Sequence, residues 1–406
     1  MIAVSYTWTK RLGAPVYLII RFSGEIGVKS SRVRVRYERR VLRDLVKRLK
    51  RAGAFSHEPT YVFGRIYVPV EDPDAAVNEA AKVFGVSSVS PAVKASSKLE
   101  DIVDLGVKVA LSTFKEGTRF AVKCRRVGEH PYRSPDVVKA VGSAILRSLK
   151  GKGVKVDLDR PDIIVGVEVR EGDAYVYVDE VEGPGGLPTG SQGRVVCLIS
   201  GGIDSPVAAW MSMRRGCIPA LLHFDLEDFA GPETRAKALD LAKRLAGWMP
   251  GNRLRFYVAR HGEALRRIKE AAPERLTCVL CKRVMLGVAC RLASLRRAKG
   301  VVTGDILGEQ ASQTLSNLYV IDSAVKGCPV FRPLLGMDKA EVERLAQRIG
   351  TYEISSRPEE GCKASPKRAA TRVDLGEVEE AEAKVDAGGL VSMEVEGLEE
   401  LVVEGG

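Results

Sequence analysis

Apolar and polar positions follow one rhythm up to about residue 190 and another beyond it. In the first stretch, PVYLIIRF (15–22) predicts a strand. Helix 31–50 has Val33, Tyr37, Val41, Leu45 and Leu49 at four-residue steps, with arginines on the opposite face. YVFGRIYVPV (61–70) suggests a hairpin, and 74–85 a second helix; the small α/β domain is placed at 1–75, its end near 75 or somewhat beyond. The next segment, 76–188, predicts strand SVSPAVKA, an amphipathic helix over 99–114 and strand RFAVKCRRV (119–127). A helix opened by Ser134-Pro135-Asp136 and strands VKVDL, DIIVGVEV and AYVYVDEV follow. GPGGLPTGSQG (183–193) marks a linker.

Beyond it, apolar strands VVCLIS, IPALLHFDL, RLRFYVAR, GVVTGDIL and CPVFRPLL alternate with amphipathic helices over 189–375. That order implies an α/β, doubly wound parallel sheet covered on both faces. Ligands of such sheets sit at the carboxyl ends of the strands. Residues 374–406 hold eleven acids and one lysine, so 376–406 is expected to be an acidic tail.

Charge sharpens this picture. The 406-residue chain has a formal net charge of +11, and Lys10–Arg51 contains fourteen Lys or Arg against three acids. A polyanion partner is therefore favoured over an acidic protein, although solvated helix faces give similar runs. No run of eighteen uncharged apolar residues occurs, so a cytoplasmic protein without membrane association is expected. Asn and Gln number seven together, a bias that heat selects for, which suggests a thermophilic source. The eight cysteines do not suggest a disulfide framework; Cys124, Cys197, Cys217, Cys290 and Cys328 lie among apolar neighbours and are expected to fill core space.

The chemistry concentrates where VVCLIS runs into SGGIDS (200–205). Gly201 and Gly202 lack a Cβ and let an anion approach main-chain N–H groups. The following helix, with Pro206 in its first turn, aims unpaired amides at the same place, and Ser200 and Ser205 add hydroxyls. No Walker lysine follows. Asp204 would repel phosphates unless it holds Mg2+ or orients the attacking group; a simple helix N-cap is the competing reading.

SGGIDS resembles the pyrophosphate loop of the N-type ATP pyrophosphatases, which activate a carbonyl oxygen as an adenylate. LISGGIDSPVAAW, MRRGC, VTGDILGEQASQTLSNL, IDS, RPLLGMDK and LAQRIGT also resemble, in order, the motifs of the tRNA 4-thiouridine synthetase (ThiI) family over about residues 17–375. The resemblance implies a ferredoxin-like domain with GEIGVKS, a THUMP RNA-binding domain, and a PP-loop ATP pyrophosphatase domain. It implies that Leu198, Ile199, His223, Phe224, Lys282, Gly304 and Gln313 contact ATP beside the loop. It also implies that Lys339 and Cys362 act in catalysis with Asp204: Lys339 on charge at the adenylate, Cys362 near the target base. A loop thiolate would be favoured among Lys363, Lys367 and Arg368.

Two features depart from the bacterial pattern. The rhodanese domain that carries the persulfide in some members is expected to be missing, and Cys278-Val-Leu-Cys281 is added. Two cysteines three apart on a helix share a face; with Cys362 they would give three thiolates to a [4Fe–4S] cluster, or else form a catalytic disulfide or core.

The expected reaction adenylates uridine 8 of tRNA and replaces its 4-oxygen with sulfur, with possible use of the same sulfur transfer for the thiamine thiazole left open. Expected partners are tRNA and a sulfur donor (sulfide or a persulfide carrier), with a homodimer left open. Lys123, Arg125 and Arg126 are candidate RNA-phosphate contacts. Thiolation of another tRNA uridine, or an RNA-binding protein with a non-catalytic ATP site, are the alternatives.

Overall fold

The computed structural model describes residues 6–62 and 64–406, without the side chains of Lys10 and Val62. Residues 1–5 of the expected first domain lie outside the described residues. The chain divides into two compact units, Met1–Leu187 and Pro188–Gly406, the division falling inside the glycine-rich 183–193 segment.

In the first unit the strands are β1 (Val16–Phe22), β2 (Thr60–Val62), β3 (Arg65–Val70), β4 (Val86–Ser96) and β5 (Arg119–Val127), then β6 (Lys155–Val156), β7 (Ile163–Arg170), β8 (Asp173–Tyr177) and β9 (Val181–Glu182). They form one sheet in the order β2-β3-β1-β4-β8-β7-β5-β6, with β9 on β4. The eleven-residue β4 joins the two halves, since its early residues pair with β1 and its later ones with β8. The helix Ser31–Arg51 buries Tyr37, Val41, Leu45 and Leu49 as its four-residue spacing requires. Arg48 lies on the same buried face, where its charge is met by Glu79 at 2.9 Å.

The second unit holds β10 (Gly193–Leu198), β11 (Cys217–Asp225), β12 (Arg253–Arg260), β13 (Val301–Val302), β14 (Val330–Phe331) and β15 (Glu399–Glu404). Their order is β14-β13-β10-β11-β12-β15, parallel except for β15, which runs antiparallel on β12. Successive residues serve opposite faces of the sheet: Val196 joins the core under helix Thr277–Leu295, whereas Cys197 lies against Ser212 of helix Asp204–Arg214. The chain steps from β10 outward to β12, then returns to the other side of β10 as β13. The crevice at the carboxyl ends of β10 and β13 is therefore a topological switch point, where open α/β sheets bind ligands.

Two expectations are corrected. Residues 376–406 are not a tail: helices Leu375–Val385 and Ala387–Glu396 lead into edge strand β15. Their acids are placed against bases, Glu382 on Arg283 at 2.6 Å and Glu399 on Arg235 at 2.6 Å. Acid-rich composition suggested solvation, but cross-strand and interhelical pairing with arginines is a tertiary property that no local window shows. Secondly, Cys290 and Cys328 are joined in a disulfide, 38 residues apart in sequence. Apolar flanks indicated that both are shielded, and could not indicate that the two meet.

The bridge ties helix Thr277–Leu295 to the approach to β14. From its loop length it contributes about 2–4 kcal/mol. Reductant is expected to lower the melting midpoint of the second unit by several degrees, and a Cys290→Ser/Cys328→Ser variant to melt low with or without reductant. An oxidised and a reduced protein with the same midpoint would contradict this.

Candidate functional site

Strand β10 ends at Leu198 and delivers Ser200 and Gly201 to the switch-point crevice. The loop closes on itself: Ser200 N–H donates to Ser205 Oγ at 2.9 Å, and Gly202 N–H donates to Ser200 Oγ at 3.3 Å. Asp204 is the first residue of the following helix and makes no cap. Its carboxylate is therefore free for other work, against the N-cap reading. On the other wall β13 ends in Thr303-Gly304-Asp305. A Cβ on Gly304 would sit 2.8 Å from Ser205 N and 2.9 Å from Ser205 Cα. Gly304 is thus required for the two strand ends to approach, a packing role within the site.

The cavity so formed measures about 360 Å³, and its lining includes Leu198, Ile199, Ser200, Gly201, Asp204, Ser205, His223, Phe224, Lys282, Gly304, Gln313 and Cys362. Most of the expected ATP contacts are thus brought together. Gly202 lies beside the lining, tied to Ser200, and Lys339 stands at the rim. A larger cavity of about 550 Å³ opens at the amino ends of β10, β11 and β12. Its walls hold none of these residues, and the switch-point position decides for the smaller one.

His223 is 4% exposed, and its Nδ1 lies 3.0 Å from Ile199 O; a carbonyl only accepts, so Nδ1 carries the proton and donates it there. Burial holds its pKa below the ordinary value, so the ring is neutral. Its Nε2 is buried without a partner, an acceptor left over at the wall of the cavity.

Asp204 Oδ1 accepts from Lys339 Nζ at 2.9 Å, and Glu309 Oε1 accepts from the same ammonium at 2.9 Å. Lys339 opens helix Lys339–Ile349, whose capping box uses Asp338 and Glu341 and fixes where the lysine starts. Burial pulls the Lys339 pKa down, but its bonds to Glu309 and Asp204 outweigh that and raise it, so the ammonium persists. Burial pushes Asp204 up, and Lys339 offsets only part of the rise.

Sequence reasoning missed three participants. Asp305, 8% exposed, accepts from Thr303 Oγ1 at 2.7 Å, Lys282 Nζ at 3.0 Å, Arg332 Nε at 3.1 Å and Gln313 Nε2 at 3.3 Å. Burial raises its pKa, but Lys282, Thr303 and Arg332 more than reverse this and hold it low. Glu309 and Arg332 are the other two. Asp305 and Glu309 stand in the quoted motif VTGDILGEQ and Arg332 opens RPLLGMDK, so the signal was there: charged residues in the loops that follow β13 and β14.

The expected three-thiolate set is not assembled. Among the described residues, no group of three or more His, Cys, Asp or Glu side chains is placed to hold a metal ion. Cys278 is near enough to feel the charge of Cys281 and Cys362, with burial the main cause of its raised pKa. Cys281 Sγ instead lies 3.3 Å from Nε2 of fully buried His261, whose Nδ1 meets Glu394 Oε1 at 2.8 Å. Burial pulls His261 down, yet Cys281 and Glu394 carry its pKa up to about 10. Helical spacing set two thiols on one face but could not aim the loop cysteine or foresee the histidine.

In the first unit, β5 exposes Lys123 and Arg125 on one face, while Arg126 points to the other and donates to Gly128 O at 2.7 Å. Helix Ser31–Arg51 exposes Arg32, Arg34, Arg36, Arg39, Arg43 and Lys47. Among the described residues, no helix is long and apolar enough to cross a membrane.

Comparison with known proteins agrees with this layout. A family model described as thiamine biosynthesis protein (ThiI) matches residues 190–387, a THUMP domain model 96–179, and a ThiI ferredoxin-like domain model 17–90. A probable tRNA sulfurtransferase of Methanobrevibacter smithii is 41% identical over 369 residues, 90% of this chain and 94% of the relative. One of Saccharolobus islandicus is 38% identical over 89% of this chain and 93% of its own length. A crystal structure of a 4-thiouridine synthetase–RNA complex with bound ATP superposes with a TM-score of 0.83 at 31% identity, covering 96% of this chain and all of that one. PH1313 from Pyrococcus horikoshii Ot3 follows at 0.64 and 26% identity, over 82% of this chain and 99% of that one. With these three family models matching in succession and this much identity along nine-tenths of its length, the chain belongs to the ThiI family.

Proposed function

We propose that this protein is an ATP-dependent tRNA sulfurtransferase that makes 4-thiouridine. The observation that carries the reading is the lysine held between Asp204 and Glu309 at the mouth of a glycine-floored crevice. The loop amides and the Ser200 and Ser205 hydroxyls take the phosphates, and the neutral His223, with its unpartnered Nε2, meets a nucleoside polar group. Uridine O4 attacks the α-phosphorus and pyrophosphate leaves. Lys339 stabilises the negative charge that builds on the α-phosphoryl oxygens. Sulfur then attacks C4, and AMP departs carrying the former O4. With sulfide as the donor the hydrosulfide itself forms the C–S bond as the C–O bond to AMP breaks, and the position of Cys362 in the crevice lining supports a role for this thiol beside the target base.

Asp204 and Glu309 are hard oxygen donors suited to Mg2+, which when bound would neutralise phosphate charge. Among the described residues the thiols are not gathered into a set that would hold an iron–sulfur cluster. Lys123, Arg125 and the exposed arginines of helix Ser31–Arg51 contact tRNA phosphates, so binding weakens steeply with salt. Uridine 8 is the base acted on, and the target base leaves its stack to reach the crevice.

The test incubates the full chain with Mg-ATP, sulfide and unmodified tRNA. Equal amounts of pyrophosphate and of RNA absorbing in the near-ultraviolet as 4-thiouridine are expected. Pyrophosphate without thiolated RNA would move the acceptor elsewhere, and neither product would end the reading.

A further inference from the structure

The segment between helix Tyr352–Ser355 and Cys362 carries Glu359, and this carboxylate stands where the crevice should be most receptive to anions. A methyl group built on Gly201 would collide with Glu359 Oε2, and would lie 3.1 Å from Lys237 Cδ. Lys237 belongs to helix Glu233–Ala246, and its side chain is only 5% exposed. Its Nζ reaches Glu359 Oε2 at 3.1 Å and donates to Arg357 O at 2.7 Å. The segment is held by Glu360 N–H on Glu233 Oε1 at 3.1 Å, and just past Cys362 by Lys363 N–H on Phe229 O at 2.8 Å.

Sinking an ammonium this deeply is costly unless an anion meets it. A single partly exposed glutamate, 29% accessible, is a modest partner for such a cation. The arrangement of an oxyanion over a Cβ-less glycine, paired to a buried lysine, is also what a phosphate oxygen of a nucleotide would find there. Carboxylate and phosphate cannot both occupy it, because like charges at contact distance repel.

We propose that Glu359 is an internal stand-in for an ATP phosphate oxygen, and that Lys237 is a phosphate ligand which exchanges carboxylate for phosphate when nucleotide binds. The proposal rests on the crevice being the ATP site. The exchange has a second effect. Glu359 is one of the ties on the segment that ends in Cys362, so its displacement loosens the segment bearing the thiol assigned to sulfur transfer. ATP occupancy and access to Cys362 are thereby coupled.

A seated carboxylate reduces apparent affinity by the fraction of molecules in which the cradle is open; seated nine times in ten, it weakens ATP binding about tenfold. Calorimetric titration of the full chain with Mg-ATP is the test. Glu359→Gln is expected to bind about tenfold tighter, and Lys237→Met about tenfold weaker or worse. Without nucleotide, the Cys362 peptide of Glu359→Gln is expected to alkylate several-fold faster than that of the parent. Glu359 is partly exposed, so this variant should keep the parent's melting curve even if Lys237→Met does not. A folded Glu359→Gln protein with unchanged or weaker ATP affinity would overturn the proposal while leaving the ATP site standing. A parent protein that binds no ATP would remove the site itself.

Discussion

Lys339→Met is expected to lower pyrophosphate release and 4-thiouridine formation together, by about 10²–10³-fold, with ATP affinity changed no more than a few-fold. The ammonium lies between Asp204 and Glu309 at 2.9 Å from each, and it is kept charged by them. Charge on the α-phosphoryl oxygens grows only as uridine O4 attacks, so a cation at this rim acts more on the transition state than on the bound nucleotide. Its loss also leaves two carboxylates without their shared counter-charge. Asp204, already raised by burial, would then rise further towards protonation. Lys339 is 43% exposed, so the fold should not depend on it. Single-turnover rates and equilibrium ATP binding separate the outcomes. Weakened binding with a normal rate for the bound complex would make Lys339 a plain phosphate contact.

Asp305→Asn should be felt in both stability and binding. Four donors converge on this carboxylate, among them Arg332, whose side chain is 9% exposed, and Lys282. Removing the charge leaves buried cations under-compensated, an error that costs about 3 kcal/mol in comparable settings. The melting transition of the second unit should fall by several degrees, and ATP affinity about tenfold as Lys282 and Gln313 lose their positions. The sign of the pH dependence follows from the shift. The folded carboxyl is held below its unfolded value, so its stabilisation is present above about pH 4, the ordinary carboxylate pKa. It is lost as pH falls through the lower folded value. Parent and variant should therefore differ at neutral pH and converge in acid. A gap that persists unchanged to low pH would assign the effect to packing.

Much of this was legible in the chain. Continuous apolar strands alternating with amphipathic helices gave the parallel sheet, and SGGIDS at a strand end gave the anion loop, because both depend on neighbours in sequence. The four-residue stripe of helix Ser31–Arg51 was equally local. What escaped depends on partners far apart. Asp305 and Arg332 are 27 residues apart and meet only because β13 and β14 are adjacent. Glu394 reaches His261 across 133 residues. The acids of 376–406 looked solvated until β15 was seen paired with β12, which brings Glu404 to Arg253 and Glu400 to Arg255. Cys290 and Cys328 looked like core filling for the same reason. Lys237 gave no sign in sequence, being one lysine among many on a helix whose buried face only the fold reveals.

Oxygen tracing tests the central claim most directly. Unmodified tRNA carrying oxygen-18 at uridine O4 is given to the protein with unlabelled ATP and sulfide, and the products are weighed by mass spectrometry. If O4 attacks the α-phosphorus in the SGGIDS crevice, the heavy atom leaves in AMP, one per 4-thiouridine formed, and pyrophosphate stays light. Heavy label recovered in pyrophosphate or in water, with AMP light, would contradict adenylation of the base.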